Sequence, residues 1–378
     1  MKSILIVSLF FILNLIGCNN TKRESDSIDR VNSINIFRNK INSINSLQLI
    51  NNLRIIPLET SNKGMIGEIS KIIKTDHKYF ILDSKFAKNV FVFDLNGNFL
   101  YNVGNNGKGP GEYATPIDFS IDEDKNILVI VDRHNKLIKT DLEGNFIMER
   151  KFPENCRYIQ EIECFKNYLY ASTGRRSLSK KRYHVIKFDS NLNPIGWMIP
   201  YEKPLPFTYS YKNRFNIHND KLFYISVFEH TIYQLRQNDF IPYYVFDFSG
   251  KAINIENMTI RSFPKNTTNA YLFQGSVAGK DLIYLPIFNE GRPYYGFFLR
   301  EIKEYIQIER IINNDQKPFL QPIFHKDGIF ISTVDSRLFN KKFPNSNLNI
   351  NESNNPIVVE FEVLTDTLIN KIESDQKR

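Results

Sequence analysis

Two stretches of sequence decide the fold: Val90-Phe-Val-Phe-Asp94-Leu-Asn-Gly97-Asn-Phe99 and Leu137-Ile-Lys-Thr-Asp141-Leu-Glu-Gly144-Asn-Phe146. Their Asp-Leu-x-Gly-Asn-Phe turns lie 47 residues apart, from position 94 to position 141. Asn-Gly between two apolar runs favours the tight turn of a β-hairpin. Each stretch therefore predicts two antiparallel strands, and the fixed spacing indicates an internal repeat.

Each hairpin is preceded by a further apolar run, Tyr79–Asp83 in the first copy and Ile127–Asp132 in the second. Four strands repeating every ~40–50 residues are typical of a β-propeller blade. A third copy lies at 184–189, a fainter fourth at 222–235, and two more at 282–299 and 328–361. The repeats predict an all-β fold, a six-bladed β-propeller with four-stranded antiparallel blades.

The last repeat lacks one strand, and the run Leu53-Arg-Ile-Ile-Pro-Leu58 precedes the first full repeat. We expect this N-terminal strand to close the ring, because closure leaves no exposed sheet edge. Abundant Phe and Tyr, 31 and 19 of 378 residues, agree with an all-β chain. Blades that pack face to face explain how so long a chain can avoid two separate cores.

The N-terminus has the pattern of a secretory signal, a basic residue followed by an apolar run. This run ends in Leu15-Ile16-Gly17-Cys18, which resembles the lipobox of bacterial lipoproteins, so Cys18 is predicted to carry the lipid that anchors the chain. The expected location is the cell envelope, with the outer membrane favoured and the periplasmic or surface side left open.

The predicted organisation is a signal peptide at 1–17, a flexible tether at 18–46, the propeller at 47–366 and a polar tail at 367–378.

The hairpin at Val90–Leu100, together with Gly104-Asn-Asn-Gly-Lys-Gly-Pro-Gly-Glu-Tyr113, resembles the six-bladed β-propeller lipoproteins of Gram-negative envelopes. Those proteins are similar in turn to NHL-repeat propellers. Ile56-Pro-Leu-Glu59 fits the opening strand of the same family. The resemblance implies a fold and a location, and it implies no activity.

Motifs for catalysis or cofactor binding are weak throughout the sequence. The glycine-rich stretch 104–111 departs from a phosphate-binding loop, since Gly109 rather than Ser or Thr follows Lys108. Asp122–Asn126 departs from a calcium loop, which needs Gly at its sixth position where Ile127 stands. The six histidines show no metal-binding spacing, so neither a metal nor a cofactor is predicted. The net charge of +8 favours acidic partners, but an exported protein is not expected to meet nucleic acid.

Loops on one face of the predicted propeller are long, basic and aromatic. They comprise the connections between second and third strands and those between blades, and such loops commonly carry function. Arginine forks suit carboxylates and sulfates, and flat aromatic rings suit sugars. The candidate ligand-binding residues are Arg133, His134, Arg175, Arg176, Tyr209, Arg214, Arg292, Tyr294 and Arg337.

These residues favour a binding module for an acidic glycan or an envelope protein partner. Three alternatives stay open: loops that are polar only because they are exposed, a propeller lyase or hydrolase with an axial site, with or without a metal, and a structural subunit of an outer-membrane assembly. The state of Cys156 and Cys164 is also open, since a disulfide and two buried thiols both fit their spacing.

Overall fold

Tandem antiparallel sheets rich in Ile, Phe and Tyr make up the described part of the chain. The computed structural model describes residues 31–152, 156, 158–174, 182–205, 211–255, 269–273 and 275–376. The chain divides into a short unit, Met1–Val31, of which only Val31 is described, and the unit Asn32–Arg378. All of the sheets belong to the second unit.

Three strands and one short helix begin this unit: β1 (Asn32–Asn35), β2 (Asn39–Asn45), α1 (Ser46–Leu49) and β3 (Ile50–Pro57). The side chain of Asn45 caps α1 by accepting a hydrogen bond from the backbone N–H of Leu47. Each of the three strands pairs with a sheet that is formed much later in the sequence.

Sheets 1 and 2 contain the two stretches with the clearest repeat. Sheet 1 consists of β4 (Lys71–Lys74), β5 (Lys78–Asp83), β6 (Asn89–Asp94) and β7 (Phe99–Asn102). A short parallel pair follows, β8 (Asn105–Asn106) with β9 (Glu112–Tyr113). Sheet 2 consists of β10 (Pro116–Asp122), a 3₁₀ turn (Glu123–Lys125), β11 (Ile127–Asp132), β12 (Lys136–Thr140) and β13 (Phe146–Lys151).

Sheets 3 and 4 continue the same pattern with longer connections. Sheet 3 consists of β14 (Glu161–Phe165), β15 (Tyr168–Ser172), β16 (Tyr183–Phe188) and β17 (Pro194–Pro200). Sheet 4 consists of β18 (Phe215–His218), β19 (Lys221–Ser226), β20 (Thr231–Arg236) and β21 (Asp239–Asp247). Strand β1 extends sheet 4 by pairing in parallel with β21.

Sheet 5 is the most elaborate of the sheets. Its strands are β22 (Tyr271–Leu272), β23 (Val277–Ala278), β24 (Leu282–Tyr284), β25 (Ile287–Asn289), β26 (Arg292–Leu299) and β27 (Glu304–Ile312). Strands β23, β24, β26 and β27 form the antiparallel unit, and β22 and β25 pair beside it. Strand β2 extends the sheet by pairing in parallel with β27.

Sheet 6 contains strands from both the beginning and the end of the unit Asn32–Arg378. It is built from β28 (Phe324–Lys326), β29 (Ile329–Val334) and β30 (Ile357–Val363), with helix α2 (Ser336–Lys342) in the long connection and helix α3 (Thr365–Gln376) after the last strand. Its fourth strand is β3, which pairs antiparallel with β30 so that Ile55 lies opposite Val359. Sheets of four or more strands thus number six among the described residues.

Apolar side chains pack between neighbouring sheets. Phe80 of sheet 1 and Phe119 and Ile130 of sheet 2 belong to one buried cluster. Tyr79 of sheet 1 shares another with Val358 of sheet 6. A sheet covered on both faces is buried in its middle strands, and Phe80 and Ile81 are both completely buried. This face-to-face packing confirms an all-β propeller with four-stranded antiparallel blades.

The repeated aspartate turns have one common geometry. Oδ1 of Asp94 accepts hydrogen bonds from the backbone N–H groups of Asn96 and Asn98, at 2.8 and 2.9 Å. The carboxylates of Asp141 and Asp189 accept equivalent bonds from Asn145 and Asn193. The predicted hairpin turns are therefore present, each held by an aspartate side chain.

Two boundaries expected from the sequence are corrected by the structure. Residues 32–45 lay within the expected tether at 18–46, but they form β1 and β2 on the outer edges of sheets 4 and 5. Ile34 and Ile36 are buried there among aromatic residues of both sheets, which stabilises the added strand. The expected polar tail at 367–378 falls mostly in α3, whose Leu368 and Ile372 are buried against sheets 5 and 6.

Two further features concern export and anchoring. Cys156 and Cys164 are not joined in a disulfide. Among the described residues, none of the helices is both long enough and apolar enough to span a bilayer. Cys18 and the signal segment lie outside the described residues, so the lipid anchor stays a prediction.

Candidate functional site

A cavity of about 1210 Å³ opens at one end of the propeller axis, and we call it the mouth pocket. Its wall includes the first residues of β4, β10 and β14, with Lys71, Asp118 and Glu161 facing the cavity. The β5–β6 and β11–β12 loops supply Lys88 and Arg133. These loops connect second and third strands, and they belong to the face on which the sequence analysis expected the functional loops.

Segment 211–213, just before β18, forms another side of the mouth pocket. Nζ of Lys212 donates a 3.1 Å hydrogen bond to the carbonyl of Ser70, next to sheet 1. Nδ2 of Asn213 donates to the carbonyl of Ile323, next to sheet 6, at 2.8 Å. The segment therefore ties three sheets together at the axis.

Lys71, Asp118 and Glu161 form the floor of the mouth pocket, and hydrogen bonds hold their side chains in place. Nζ of Lys71 lies 2.9 Å from Oδ1 of Asp118. Oδ2 of Asp118 accepts a 2.7 Å bond from the backbone N–H of Ile162. Glu161 accepts a bond of 2.9 Å from the backbone N–H of Arg214 and one of 3.3 Å from that of Phe215. Each carboxylate thus joins its own sheet to the next one.

Burial changes the protonation of this floor. Loss of water raises the pKa of Glu161 to about 7, and the nearby charges of Lys71 and Arg214 only partly oppose the shift. The same cause raises the pKa of Glu163, which lies two residues further along β14 and does not line the pocket, to about 7. Oε1 of Glu163 accepts a 3.1 Å bond from the hydroxyl of Ser120. Both glutamates therefore exchange protons near neutral pH.

The rim carries Arg133 and His134 on a loop fixed by Asp132. Oδ1 of Asp132 lies 2.8 Å from Nδ1 of His134, and Oδ2 accepts bonds of 2.7 and 2.8 Å from the N–H groups of Ala114 and Thr115. Burial tends to raise the pKa of Asp132, but the hydrogen bonds outweigh it and lower the pKa. The side chain of Arg133 is exposed and makes no ion pair with any described residue.

Arg214 is the least expected group beside the pocket. Only 4% of the residue is exposed. Its guanidinium lies 5.6 Å from the ring of Tyr211, and it makes no hydrogen bond or ion pair within the described residues. Its positive charge favours the ionised form of Glu161 and so lowers the pKa of that carboxyl, without a hydrogen bond between the two side chains.

Comparison with known proteins places this fold in a family. The profile of a domain of unknown function, DUF4934, matches residues 31–362. The chain belongs to the DUF4934 family. No curated protein sequence matches that of the chain.

Solved structures resemble this DUF4934 protein over nearly its whole length. One is a protein of Bacteroides fragilis described as exported, with a TM-score of 0.66 and 18% identity, covering 88% of this chain and 99% of that one. Another is a DUF4221 family member from Bacteroides vulgatus, with a TM-score of 0.56 and 13% identity, covering 84% of this chain and 97% of that one. At such identities the likeness supports the fold alone, and the NHL-like part of the expected resemblance stays a prediction.

The structure brings some candidate residues of this DUF4934 protein together and separates others. Arg133 and His134 line the mouth pocket, and Arg214 lies behind its wall. Arg292 pairs with Glu309 on the neighbouring strand at 2.8 Å, outside the pocket. The ring of Tyr294, expected on the surface, is 2% exposed and belongs to the core.

Arg337 lies in α2, outside the pocket, and pairs with Asp335. Arg175, Arg176 and Tyr209 fall outside the described residues, and so their part in the site stays a prediction.

Sequence reasoning missed the floor of the site in this DUF4934 protein. Lys71, Asp118 and Glu161 all lie in first strands, at spacings of 47 and 43 residues that follow the repeat. Charged residues that recur in first strands at about the spacing of the repeat are the signal that could have found them. Their convergence depends on how successive sheets pack against each other, which a linear pattern does not show.

Motifs that the sequence analysis set aside have structural roles in this DUF4934 protein. The 104–111 stretch connects sheets 1 and 2, with Gly104 and Gly111 at φ of 67° and 74°. Asn126 ends the Asp122–Asn126 turn at φ 56°, and Lys125 pairs with Asp122 at 3.0 Å. Within the described ranges, no three His, Cys, Asp or Glu side chains are arranged to hold a metal ion.

Proposed function

We propose that this chain is an exported, lipid-anchored binding protein whose mouth pocket takes an anionic ligand, such as an acidic glycan or an acidic envelope protein. The proposal includes a ring of six blades closed by β3. Pairing of β3 with β30 and the six sheets of four or more strands support that ring. The basic and apolar N-terminus ending in Cys18, and the exported description of the Bacteroides fragilis protein, support the location.

The observation that carries the binding proposal is a group of exposed cations on the rim of the cavity, two of which form no ion pair among the described residues. Exposed Lys88, Arg133 and Lys212 line that cavity. Lys88 and Arg133 form no ion pair with the described residues, so both can bind an external anion without breaking a contact. A planar guanidinium suits a carboxylate or sulfate, since it can donate two parallel hydrogen bonds.

Calorimetric titration of the mature protein with polygalacturonate oligomers and with sulfated oligosaccharides tests this function. Arg133→Ala removes a rim cation from an exposed position, so the fold stays intact. We expect the affinity to fall by about tenfold, the loss typical of one charge-assisted contact. Raising the salt concentration should weaken binding as well.

Arg292→Ala and Arg337→Ala are the matched controls, because both arginines are exposed but lie outside the pocket. If these variants weaken binding as much as Arg133→Ala does, the ligand does not occupy the mouth pocket. Absence of binding by the unchanged protein to every acidic probe would reject the proposed function.

A second candidate, an enzyme with an axial site, has one observation in its favour. Asp118 and Glu161 face the same pocket, and burial raises the pKa of Glu161 to about 7, a range suited to a general acid at neutral pH. Chain cleavage of an acidic polysaccharide, followed by its reducing ends or by the absorbance of unsaturated products, tests it. Activity that survives Glu161→Gln would remove this carboxyl from the chemistry.

A further inference from the structure

One wall of the mouth pocket carries an exposed aromatic ring. Tyr158 lines the cavity, and 41% of the residue is exposed. The next residue, Ile159, is buried in the cluster that joins sheets 2 and 3, so the chain is fixed beside the ring. Phe152, which is buried in the same cluster, also lines the cavity and extends its apolar surface.

The backbone of Tyr158 adopts an uncommon conformation. Its φ is 73°, in the left-handed region that bulky residues rarely adopt. Strain of this kind is concentrated at positions that bind ligands. The sequence analysis expected Tyr294 as a binding aromatic, but that ring belongs to the core. Tyr158 is the exposed aromatic residue that the described part of the chain presents to the cavity.

Uncharged polar side chains line the same cavity. They belong to Thr115, Asn135 and Gln160. None of these three side chains makes a hydrogen bond to another described residue, so each can bond to a ligand without breaking an internal contact. Hydroxyl and amide groups both donate and accept hydrogen bonds. Sugar hydroxyls have the same double capacity, so the two sets of groups are complementary.

The positive charge of the rim is sparse. Glu68 also lines the pocket, and its carboxylate pairs with Lys85 at 3.0 Å. Lys88 and Arg133 keep their charges free of ion pairs with the described residues. A few separated cations suit a ligand whose acid groups are spaced by uncharged units, as they are in a chain of uronic acids or sulfated sugars.

We infer that the ligand of the mouth pocket is an acidic glycan, with one sugar ring stacked on Tyr158 and its hydroxyls bonded to Asn135 and Gln160. This inference rests on the proposed function and deepens it, because it chooses a glycan over an acidic protein. The acid groups of the glycan bind Arg133 and Lys88. Pockets that orient a ligand commonly combine an apolar or aromatic wall with a few polar groups in this way.

An acidic peptide fits these groups less well. Its backbone can bond to the amides of Asn135 and Gln160, but its Asp and Glu side chains offer no flat face to Tyr158. A sugar ring has such a face, made of C–H groups, with hydroxyls at its edge. The cavity of about 1210 Å³ exceeds the roughly 300–1,000 Å³ of pockets for single small molecules, so more than one sugar unit has room.

The test compares two probes with the same number of carboxylates, an oligomer of galacturonate and an oligomer of L-glutamate. Both satisfy the cationic rim, but only the first has sugar rings. We expect calorimetric titration of the mature protein to show about tenfold tighter binding of the galacturonate oligomer. If the glutamate oligomer binds as tightly, the glycan inference is wrong, while anion binding in the pocket stands.

Variants of the aromatic wall identify the source of that preference. Tyr158→Ala should weaken galacturonate binding by about tenfold and leave glutamate binding unchanged, whereas Tyr158→Phe keeps the ring and should retain the preference. Phe86→Ala is the matched control, because Phe86 is 62% exposed but does not line the pocket. An equal loss for both probes in Tyr158→Ala, or no loss for either, would overturn stacking on Tyr158.

Two further variants test the hydroxyl contacts. Asn135→Ala and Gln160→Ala should each weaken galacturonate binding by about threefold, the effect of one neutral hydrogen bond. Unchanged affinity in both variants would remove these amides from the site. If the unchanged protein binds no acidic probe at all, sulfated oligosaccharides included, the proposed function fails and this inference fails with it.

Discussion

The phenol of Tyr79 on β5 donates a 2.5 Å hydrogen bond to Oε1 of Glu360 on β30, 281 positions later in the sequence. The same oxygen lies 2.6 Å from Nζ of Lys74. Tyr79 is completely buried and Glu360 is 5% exposed. This contact joins sheet 1 to sheet 6, so it links the beginning of the repeated array to its end.

Tyr79→Phe removes that bond and leaves Glu360 with one donor fewer. A buried hydrogen bond to a charged group contributes about 1.5–3 kcal/mol, so we expect the free energy of unfolding to fall by roughly 2 kcal/mol. Urea unfolding followed by fluorescence measures it. Tyr168→Phe, on a half-exposed ring, is the control and should change the stability little. If both variants lose the same free energy of unfolding, the hydrogen bond between Tyr79 and Glu360 does not stabilise the fold.

Stability should depend on pH through Glu163. Its pKa is raised to about 7 in the folded protein, so the folded state binds a proton more readily than the unfolded chain does. The resulting stabilisation is complete at low pH and is lost as the pH rises through about 7. Glu163→Gln should therefore raise the melting temperature at pH 8 relative to the unchanged protein, with a smaller gain or a loss at pH 5. Glu143→Gln, at an exposed position, should show no such difference.

Gly97 should tolerate no side chain. Its φ is 89°, and an added Cβ would lie 2.2 Å from the carbonyl oxygen of Pro57 on β3. Gly250 has a similar φ of 76°, but a Cβ there would meet nothing within 4 Å. We expect Gly97→Ala to lower the free energy of unfolding by more than about 2 kcal/mol, and Gly250→Ala by only about 1 kcal/mol, since only the first adds a clash to the backbone strain. Chemical unfolding measures the free energy of unfolding of both variants. Equal decreases would mean that β3 does not contact the turn at Gly97.

Helix α3 should contribute to stability although its sequence is mostly polar. Leu368 is completely buried in the cluster that includes Phe361 and Leu49. Leu368→Ala should cost about 2–4 kcal/mol, because it leaves a cavity in a packed core. Leu348→Ala, at a position that is 40% exposed, is the control. Thermal unfolding that gives the same melting temperature for both variants would mean that α3 is not docked in solution.

The local part of the fold could be predicted from the sequence because it depends on short-range chemistry. Asp94, Gly97 and Asn98 form one turn, and the same residue types recur in phase at position 141. Period, turn chemistry and apolar strands were enough to predict four-stranded blades of a propeller. The position of the Arg133 loop could also be predicted from the order of the strands. Successive connections alternate between the two ends of a blade, so this loop between second and third strands lies opposite the tight hairpin turns.

Contacts between distant parts of the chain could not be predicted in this way. The polar sequence at 32–45 resembles a tether, yet it forms strands because the outer edges of sheets 4 and 5 offer free hydrogen-bonding groups. Tyr294 looks like a surface aromatic beside Arg292, but its ring is buried because β26 packs in the interior of sheet 5.

The sequence by itself determined the repeat, the strands, the turns and the signal-like N-terminus of this protein, all of which are encoded within a few neighbouring residues. Only the tertiary structure decided that Lys71, Asp118 and Glu161 meet, that Arg133 lies on the rim of the same pocket, and that the buried Nε of Arg214 has no hydrogen-bond partner. The physical reason is that packing of successive blades brings their first strands to one cavity. Burial there changes their protonation and pairing, and neither can be read from spacing along the chain.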